Sequence, residues 1–185
     1  MKYNFACVCY GNKYPVEYVQ KLFMMVTRNT TIPNLNFYVF TDHVKMHKMV
    51  FGDNLNIIKF PEHDLEGWWN KMQLFHPDVK LEGTTLYMDL DVVITDNIDC
   101  FFTYKPEARF VGMNDFNPTT KQWNSSIMRF DQSMWHDKLW RRFRDDRTNL
   151  LRRFPGDQNL ISDFIKGSPG CDSFPDSWTQ SYKWY

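Results

Sequence analysis

Apolar positions along the chain follow two periods, and the alternation between them outlines the fold. Phe5 to Cys9 is a short continuous apolar run, read as a strand that stops at the turn Gly11-Asn12-Lys13-Tyr14-Pro15. From Val16 to Arg28 the apolar residues Val19, Leu22, Phe23 and Val26 recur at helical spacing, which predicts a helix ending at Asn29-Thr30. Phe37 to Phe40 and Asn56 to Phe60 predict two further strands, closed by Thr41-Asp42 and Pro61. Gly67 to Phe75 reads as a helix, and Thr84 to Thr95 contains the most strand-like run of the sequence. Beyond it, Ala108–Met113 and Ser125–Phe130 read as strands and Gln132–Phe154 as a basic helix. Gly167–Tyr185 reads as an irregular tail folded over the domain. Strands alternating with helices predict an α/β domain with a mixed, mostly parallel sheet flanked by helices.

Length and composition narrow the classes. The 185 residues suit one domain spanning 1–185, without repeats or low-complexity linkers. Lys plus Arg balance Asp plus Glu at 22 each, and a neutral chain argues against general binding to nucleic acid, which needs excess positive charge. No run of 18 apolar residues is present, which excludes a membrane-spanning helix. Residues 1–10 lack the long apolar segment of a secretory signal, so a cytoplasmic protein is expected. Cys7, Cys9, Cys100 and Cys171 are too few and scattered for a disulfide framework, and no further soft ligands stand at zinc spacing. Cys7 and Cys9 alternate along the first strand and share a face. Nothing in the pattern sets an oligomeric state.

The informative segment is Tyr87-Met88-Asp89-Leu90-Asp91-Val92-Val93-Ile94, where two carboxylates interrupt an apolar run. Residues two apart on a strand share a face, so Asp89 and Asp91 are expected to converge while Leu90 points into the core. Two like charges at one place are unfavourable unless a cation lies between them. A pair of hard oxygen ligands suits Mg²⁺ or Mn²⁺, ions that commonly bridge a protein to substrate phosphates. On residue types alone an isolated D-x-D is equally the solvated end of a strand.

That segment resembles the D-x-D of GT-A fold glycosyltransferases, particularly the family 8 type, and other segments resemble the same family in the same order. Ala6-Cys7-Val8-Cys9-Tyr10-Gly11 is similar to its nucleotide-binding opening and Phe40-Thr41-Asp42 to the end of its second strand. Trp69-Asn70-Lys71-Met72 is similar to the helix that carries a basic residue near the donor. Trp123 to Phe130, containing Asn124 and Ser125, resembles its N-[ST]-G strand, with Ser126 in place of the glycine. Phe154-Pro155-Gly156-Asp157-Gln158 resembles its G-D-Q segment. The resemblance runs from about Phe5 to Lys183. It implies transfer of a sugar from a nucleotide-diphosphate donor of the UDP-sugar type to a glycan or other hydroxyl acceptor, with Mn²⁺ or Mg²⁺ on Asp89 and Asp91. It places the donor against Cys9, Tyr10, Gly11, Asp42, Lys71, Asp89, Leu90, Asn124, Ser125 and Lys183, and gives the catalytic roles to Asp157 and Gln158. The C-terminal histidine that such proteins often add as a third metal ligand has no counterpart, since every histidine lies at or before His136.

Each residue also has a plainer reading. Lysines on helices are mostly solvated, Asp157 after Pro155-Gly156 suits a helix N-cap, and Asn124 suits a backbone-satisfying turn. Trp68 and Trp69 face different ways on a helix, so at least one belongs to the core. The basic segment Trp135–Phe154 reads as a surface helix with a buried apolar stripe. Two rival functions remain. A haloacid-dehalogenase-type phosphatase would use Asp89 as nucleophile, but its D-x-D normally sits on the first strand of the chain, and Gly156-Asp157 lacks the following acid at the needed spacing. A non-catalytic nucleotide-sugar-binding module would share the site without turnover. A nucleotidyltransferase would want a glycine-rich loop after the first strand, where Gly11 stands alone.

Overall fold

The computed structural model describes residues 2–117, 119–132 and 135–183. Trp184 and Tyr185 of the expected tail, and Ser133 and Met134 of the expected basic helix, lie outside the described residues. Among the described residues seven strands form one sheet: β1 (Tyr3–Cys9), β2 (Asn36–Thr41), β3 (Asn56–Lys59), β4 (Thr84–Met88), β5 (Phe110–Asn114), β6 (Trp123–Asp131) and β7 (Cys171–Ser173). Their order is β3-β2-β1-β4-β6-β5-β7. Strands β3, β2, β1 and β4 run parallel, β6 is antiparallel to both β4 and β5, and β7 is parallel to β5. The expected mixed, mostly parallel sheet is therefore present.

Central position explains the composition of β1, whose residues from Asn4 to Cys9 are all buried as both faces are covered. Helix α1 (Val16–Arg28) turns Val19, Leu22 and Val26 onto one face of the sheet, with Glu17 in its first turn and Arg28 in its last, as the helix dipole favours. Cys7 and Cys9 share that face with Leu86 and Met88. The opposite face is covered by the 3₁₀ segment Gly67–Phe75, by a π-helical turn (His136–Arg141), and by helices α4 (Arg142–Asp145), α5 (Arg147–Arg153) and α6 (Asp157–Ile165).

Three expectations need correction. The run Thr84–Thr95 is a strand only as far as Met88, because the Asp89 N–H still pairs with Ser126 O whereas the Val92 N–H turns back onto Asp89 O. The segment Gln132–Phe154 is not one continuous helix but a π-helical turn followed by α4 and α5. Two helices had no sequence signal: α2 (Val44–Phe51) and α3 (Asp99–Thr103).

Helix α2 carries a buried polar anomaly. His47 is wholly buried, stacks on Phe51, and neither ring nitrogen has a hydrogen-bond partner among the described residues. Burial, with the neighbouring His43, lowers its pKa, while Asp42 opposes the shift. The folded protein then binds fewer protons than the unfolded chain, so stability present above the ordinary value of 6.5 is lost as pH falls below it. His47→Phe removes both the unpaired nitrogens and this titration. It is expected to raise the unfolding free energy at about pH 5.5 by roughly 1–2 kcal/mol, with a smaller gain at neutral pH. Urea unfolding at both pH values checks this, and an unchanged pH slope contradicts it.

Candidate active site

The functional candidates gather at the C-terminal rim of β1 and β4, which is where ligands bind in open α/β sheets. The centre of the group is Lys71, on the 3₁₀ segment and only 7 % exposed. Its Nζ lies 3.0 Å from Asp89 Oδ1 and 3.2 Å from Asp157 Oδ2. It also donates to Ser125 Oγ at 3.0 Å and Ser125 O at 3.2 Å. Burial alone would lower the pKa of this amine, but the two carboxylates outweigh it and push the value up to about 12. The lysine is therefore an ammonium in any working buffer.

Asp89 follows β4 directly and keeps about a quarter of its side chain exposed. Its Oδ1 also accepts from the Tyr87 hydroxyl at 2.5 Å. Burial would raise its pKa, yet the Lys71 charge and the Tyr87 hydrogen bond together hold it below the usual carboxylate range. Asp157 opens α6 and is nearly buried, accepting from Ser125 Oγ at 2.8 Å. Gly156 occupies the N-cap position and Asp157 the first helical position, so the plain N-cap reading does not describe it. One cation is thus shared by two carboxylates from different elements, and the group as a whole carries a net negative charge.

The position of Ser125 comes from an irregularity. The β5–β6 register passes from Gly112↔Met128 to Met113↔Asn124, leaving residues 125–127 without β5 partners. Such bulges commonly re-aim a side chain beside a site, and here Ser125 Oγ turns toward Lys71 and Asp157. Asn124 uses Oδ1 to accept the Ser126 N–H at 2.8 Å, which is the backbone-satisfying role. Gln158 Nε2 donates to Asp115 Oδ2 at 2.9 Å. An ionised carboxylate only accepts, so this contact orients the amide and leaves Gln158 Oε1 toward the Ser125 N–H, 3.5 Å away.

Asp91 departs from expectation. It stands in the tight turn after β4, not on a strand, so alternation along a strand does not bring it beside Asp89. It is exposed and accepts from the Tyr14 hydroxyl at 2.8 Å. Leu90 between them is buried in the α1-side core, as expected. At the ends of β1 and β2, the Gly11 N–H donates to both Asp42 oxygens at 3.0 and 3.2 Å, and His43 Nε2 meets Gly11 O at 3.1 Å. Cys9 Sγ faces the α1-side core, where burial followed by the Asp42 charge pushes the thiol up to about 11. Tyr10 is half-buried against the opposite core. Lys183 is exposed, and its backbone N–H binds Ser181 Oγ. No contact joins its side chain to the cluster among the described residues.

The structure therefore assembles Lys71, Asp89, Ser125, Asp157 and Gln158, places Asp91 beside them in sequence but in solvent, and leaves Lys183 apart. It adds Tyr14, Tyr87 and Asp115, which nothing in the sequence pattern marked. Among the described residues, no group of three or more His, Cys, Asp or Glu is placed to hold a metal ion. Of the expected pair, Asp89 Oδ1 is engaged by Lys71 and Tyr87 and Asp91 accepts from Tyr14, so a divalent ion would meet two carboxylates that the strand does not pair, with the remaining positions filled from outside the chain. That is a donor set Mg²⁺ accepts when substrate phosphates complete its shell.

With this geometry in place, comparison with known proteins is informative about the fold. No family model matches the chain, and no curated protein sequence matches it. Among solved structures, the glycosyltransferase GlyE of Streptococcus pneumoniae TIGR4 superposes with a TM-score of 0.74 at 14% identity, over 96% of this chain and 46% of that one. An active-site mutant of LgtC superposes at 0.68 with 11% identity, over 92% of this chain and 72% of that one. The galactosyltransferase LgtC in complex with donor and acceptor sugar analogs gives 0.65 at 12% identity. The chain spans about half the length of GlyE. The fold is that of the GT-A glycosyltransferases.

Proposed function

We propose that the chain transfers a sugar from a nucleotide-diphosphate donor, a UDP-sugar, to a hydroxyl acceptor such as a glycan, with Mn²⁺ or Mg²⁺ held between Asp89, Asp91 and the donor diphosphate. The observation that carries this reading is the Lys71 ammonium shared by Asp89 and Asp157 at the rim of a GT-A sheet. A polyhydroxylated ring is recognised by fixed donors and acceptors at several points, and this cluster supplies one cation, two carboxylates and an oriented amide in one place.

In this reading the Gly11–Asp42–His43 clasp lies at the nucleoside end, beyond β1, and the Lys71 cluster lies under the sugar, between β4 and α6. Asp157 and Asp89 accept from sugar hydroxyls, and the Lys71 ammonium favours the ionised form of Asp89. Gln158, held by Asp115, turns its carbonyl oxygen toward the ring, where electron density favours an oxocarbenium-like centre. The divalent ion, when bound, supplies Lewis-acid stabilisation of the departing diphosphate. The phosphatase alternative is less well served: Asp89 lies after the fourth strand, and its Oδ1 is already engaged by Lys71 and Tyr87.

The test is Asp91→Asn. Asp91 is exposed and its hydrogen bond is to Tyr14, so the fold is expected to survive with its melting temperature nearly unchanged. Calorimetric affinity for UDP in the presence of Mn²⁺ is expected to fall at least about tenfold, and with it the slow release of UDP from UDP-sugars. Metal-dependent UDP affinity equal to that of the parent would defeat the assignment. UDP-sugar binding with Mn²⁺ but without turnover toward any acceptor or water would favour the non-catalytic binding module.

A further inference from the structure

One exposed indole at the lip of this cluster follows a left-handed glycine and lies against a second. Gly67 has φ +55°, a left-handed conformation that favours glycine, and it begins the 3₁₀ segment. The next residue, Trp68, is 53 % exposed and is the one tryptophan classed as exposed among the described residues. On its other side the indole lies against Gly156. A Cβ built there would stand 3.2 Å from Trp68 Nε1 and 3.5 Å from Cδ1, so a larger residue would have to displace the ring. The Gly156 backbone itself is extended, so close approach and not torsion is what the glycine permits.

Both glycines stand on segments that lead into the site. In a 3₁₀ helix residues three apart eclipse, so Trp68 stands on the face of Lys71, one turn earlier and outward. Gly156 immediately precedes Asp157 and Gln158. A tryptophan left half in water forfeits much of the favourable burial that its large ring offers, and here Gly156 lets the chain pass close against the ring.

We propose that Trp68 is the platform of a second sugar subsite, one that seats the pyranose ring of the acceptor by its apolar C–H face. This rests on the transferase reading above and deepens it by assigning an acceptor class. An indole face is both apolar and electron-rich, and it matches the C–H face of a pyranose, whose hydrogens carry slight positive charge. The ring's hydroxyls then point sideways toward the start of α6, where Asp157 and Gln158 lie. A nucleobase is the natural rival for an aromatic face. In the sheet order, however, the Asp42 end of β2 lies on one side of β4, while β6, against which α6 packs, lies on the other. Trp68 belongs to the side away from the proposed nucleoside end.

The experiment uses the full chain with Mn²⁺ and UDP present, and titrates the methyl α- and β-glycosides of glucose and galactose at tens of millimolar. Binding is followed by tryptophan fluorescence and by saturation-transfer NMR, in the parent, Trp68→Phe and Trp68→Ala. At least one glycoside is expected to bind the parent and perturb the indole signal. Trp68→Ala is expected to weaken that binding about tenfold, and Trp68→Phe to retain most of it. Affinity for UDP is expected to stay within about twofold in both variants. Failure of all four glycosides to bind the parent, or equal binding by Trp68→Ala, overturns the subsite. A loss of UDP affinity that matches the loss of glycoside binding assigns the indole to the donor and overturns it as well. Failure of the underlying reading shows separately, as absence of Mn²⁺-dependent UDP binding by the parent.

Discussion

Lys71→Met is expected to lower the unfolding free energy at neutral pH by about 3 kcal/mol or more and to remove the proposed sugar transfer. The substitution keeps side-chain length but deletes the ammonium that Asp89 and Asp157 share, leaving Asp89 and the Ser125-bonded Asp157 with no cation between them. Breaking a buried pair by removing one partner typically costs about 3–5 kcal/mol, and the quarter of Asp89 that reaches water argues for the lower end. For a chain of this length each kcal/mol moves the melting temperature by roughly 2–4 °C, so a drop near 10 °C is the expected observation. The pH dependence gives the diagnosis. In the parent, Lys71 and Tyr87 hold Asp89 below the ordinary carboxylate pKa, and stability from this group is lost only as pH falls through that depressed value. In Lys71→Met the same carboxylate takes up a proton more readily, so the deficit should shrink as pH falls toward about 5. Lys71→Arg keeps the charge and should recover most of the stability. A Lys71→Met protein as stable as the parent at neutral pH would show that the cluster is not an ionic unit.

That cluster also marks where sequence reading succeeds and stops. The pieces of the sheet were visible because buried parallel strands such as β1 are continuous apolar runs, and α1 because Val19, Leu22 and Val26 keep helical spacing. Lys71, Asp89, Ser125, Asp157 and Gln158, which the structure clusters, were picked out through motif order and not through their own chemistry. Nothing in the segment Trp68 to Met72 says that its lysine is buried, since that depends on two carboxylates more than 15 residues away in the chain. The strand-face argument for Asp89 and Asp91 went astray for a definite reason. Apolar residues continue through Val92, Val93 and Ile94, yet the Asp89 carbonyl closes a turn with the Val92 N–H that periodicity does not register. The re-aiming of Ser125 depends on a β5–β6 register shift, and the orientation of Gln158 depends on Asp115 across 43 positions. Helix α2 escaped notice because Val44-Lys45-Met46-His47-Lys48-Met49-Val50-Phe51 buries only His47 and Phe51, too little to set a period. Strand β7 is three residues long and takes its identity from pairing with β5.

The second large effect lies on the far side of the same strand that carries Ser125. Arg129 on β6 is 3 % exposed, and its guanidinium donates to Phe102 O at 3.1 Å, Tyr104 O at 2.7 Å, Lys105 O at 2.9 Å and Ala108 O at 3.1 Å. The planar fork thus organises the whole connection from α3 to β5, a stretch that includes Lys105 at φ 43°. Burial lowers the Arg129 pKa, with Glu107 opposing, but a guanidinium remains charged throughout the working range. Arg129→Met leaves four carbonyls without this donor, and although part of the connection can rehydrate, a loss of about 3–5 kcal/mol is expected in urea unfolding. Arg129→Lys should recover only a minor share, because a single ammonium with three donors cannot span four acceptors set for a fork. The consequence for the site follows from register. Arg129 pairs with Leu86, and the same β4–β6 ladder presents Ser126 O to the Asp89 N–H at 2.9 Å. Loosening β6 at Arg129 should therefore speed hydrogen exchange at the Asp89 amide more than at β2, which lies two strands from β4. Uniform acceleration across β1, β2 and β4 would instead mean that the arginine supports global stability without tying β6 to the site.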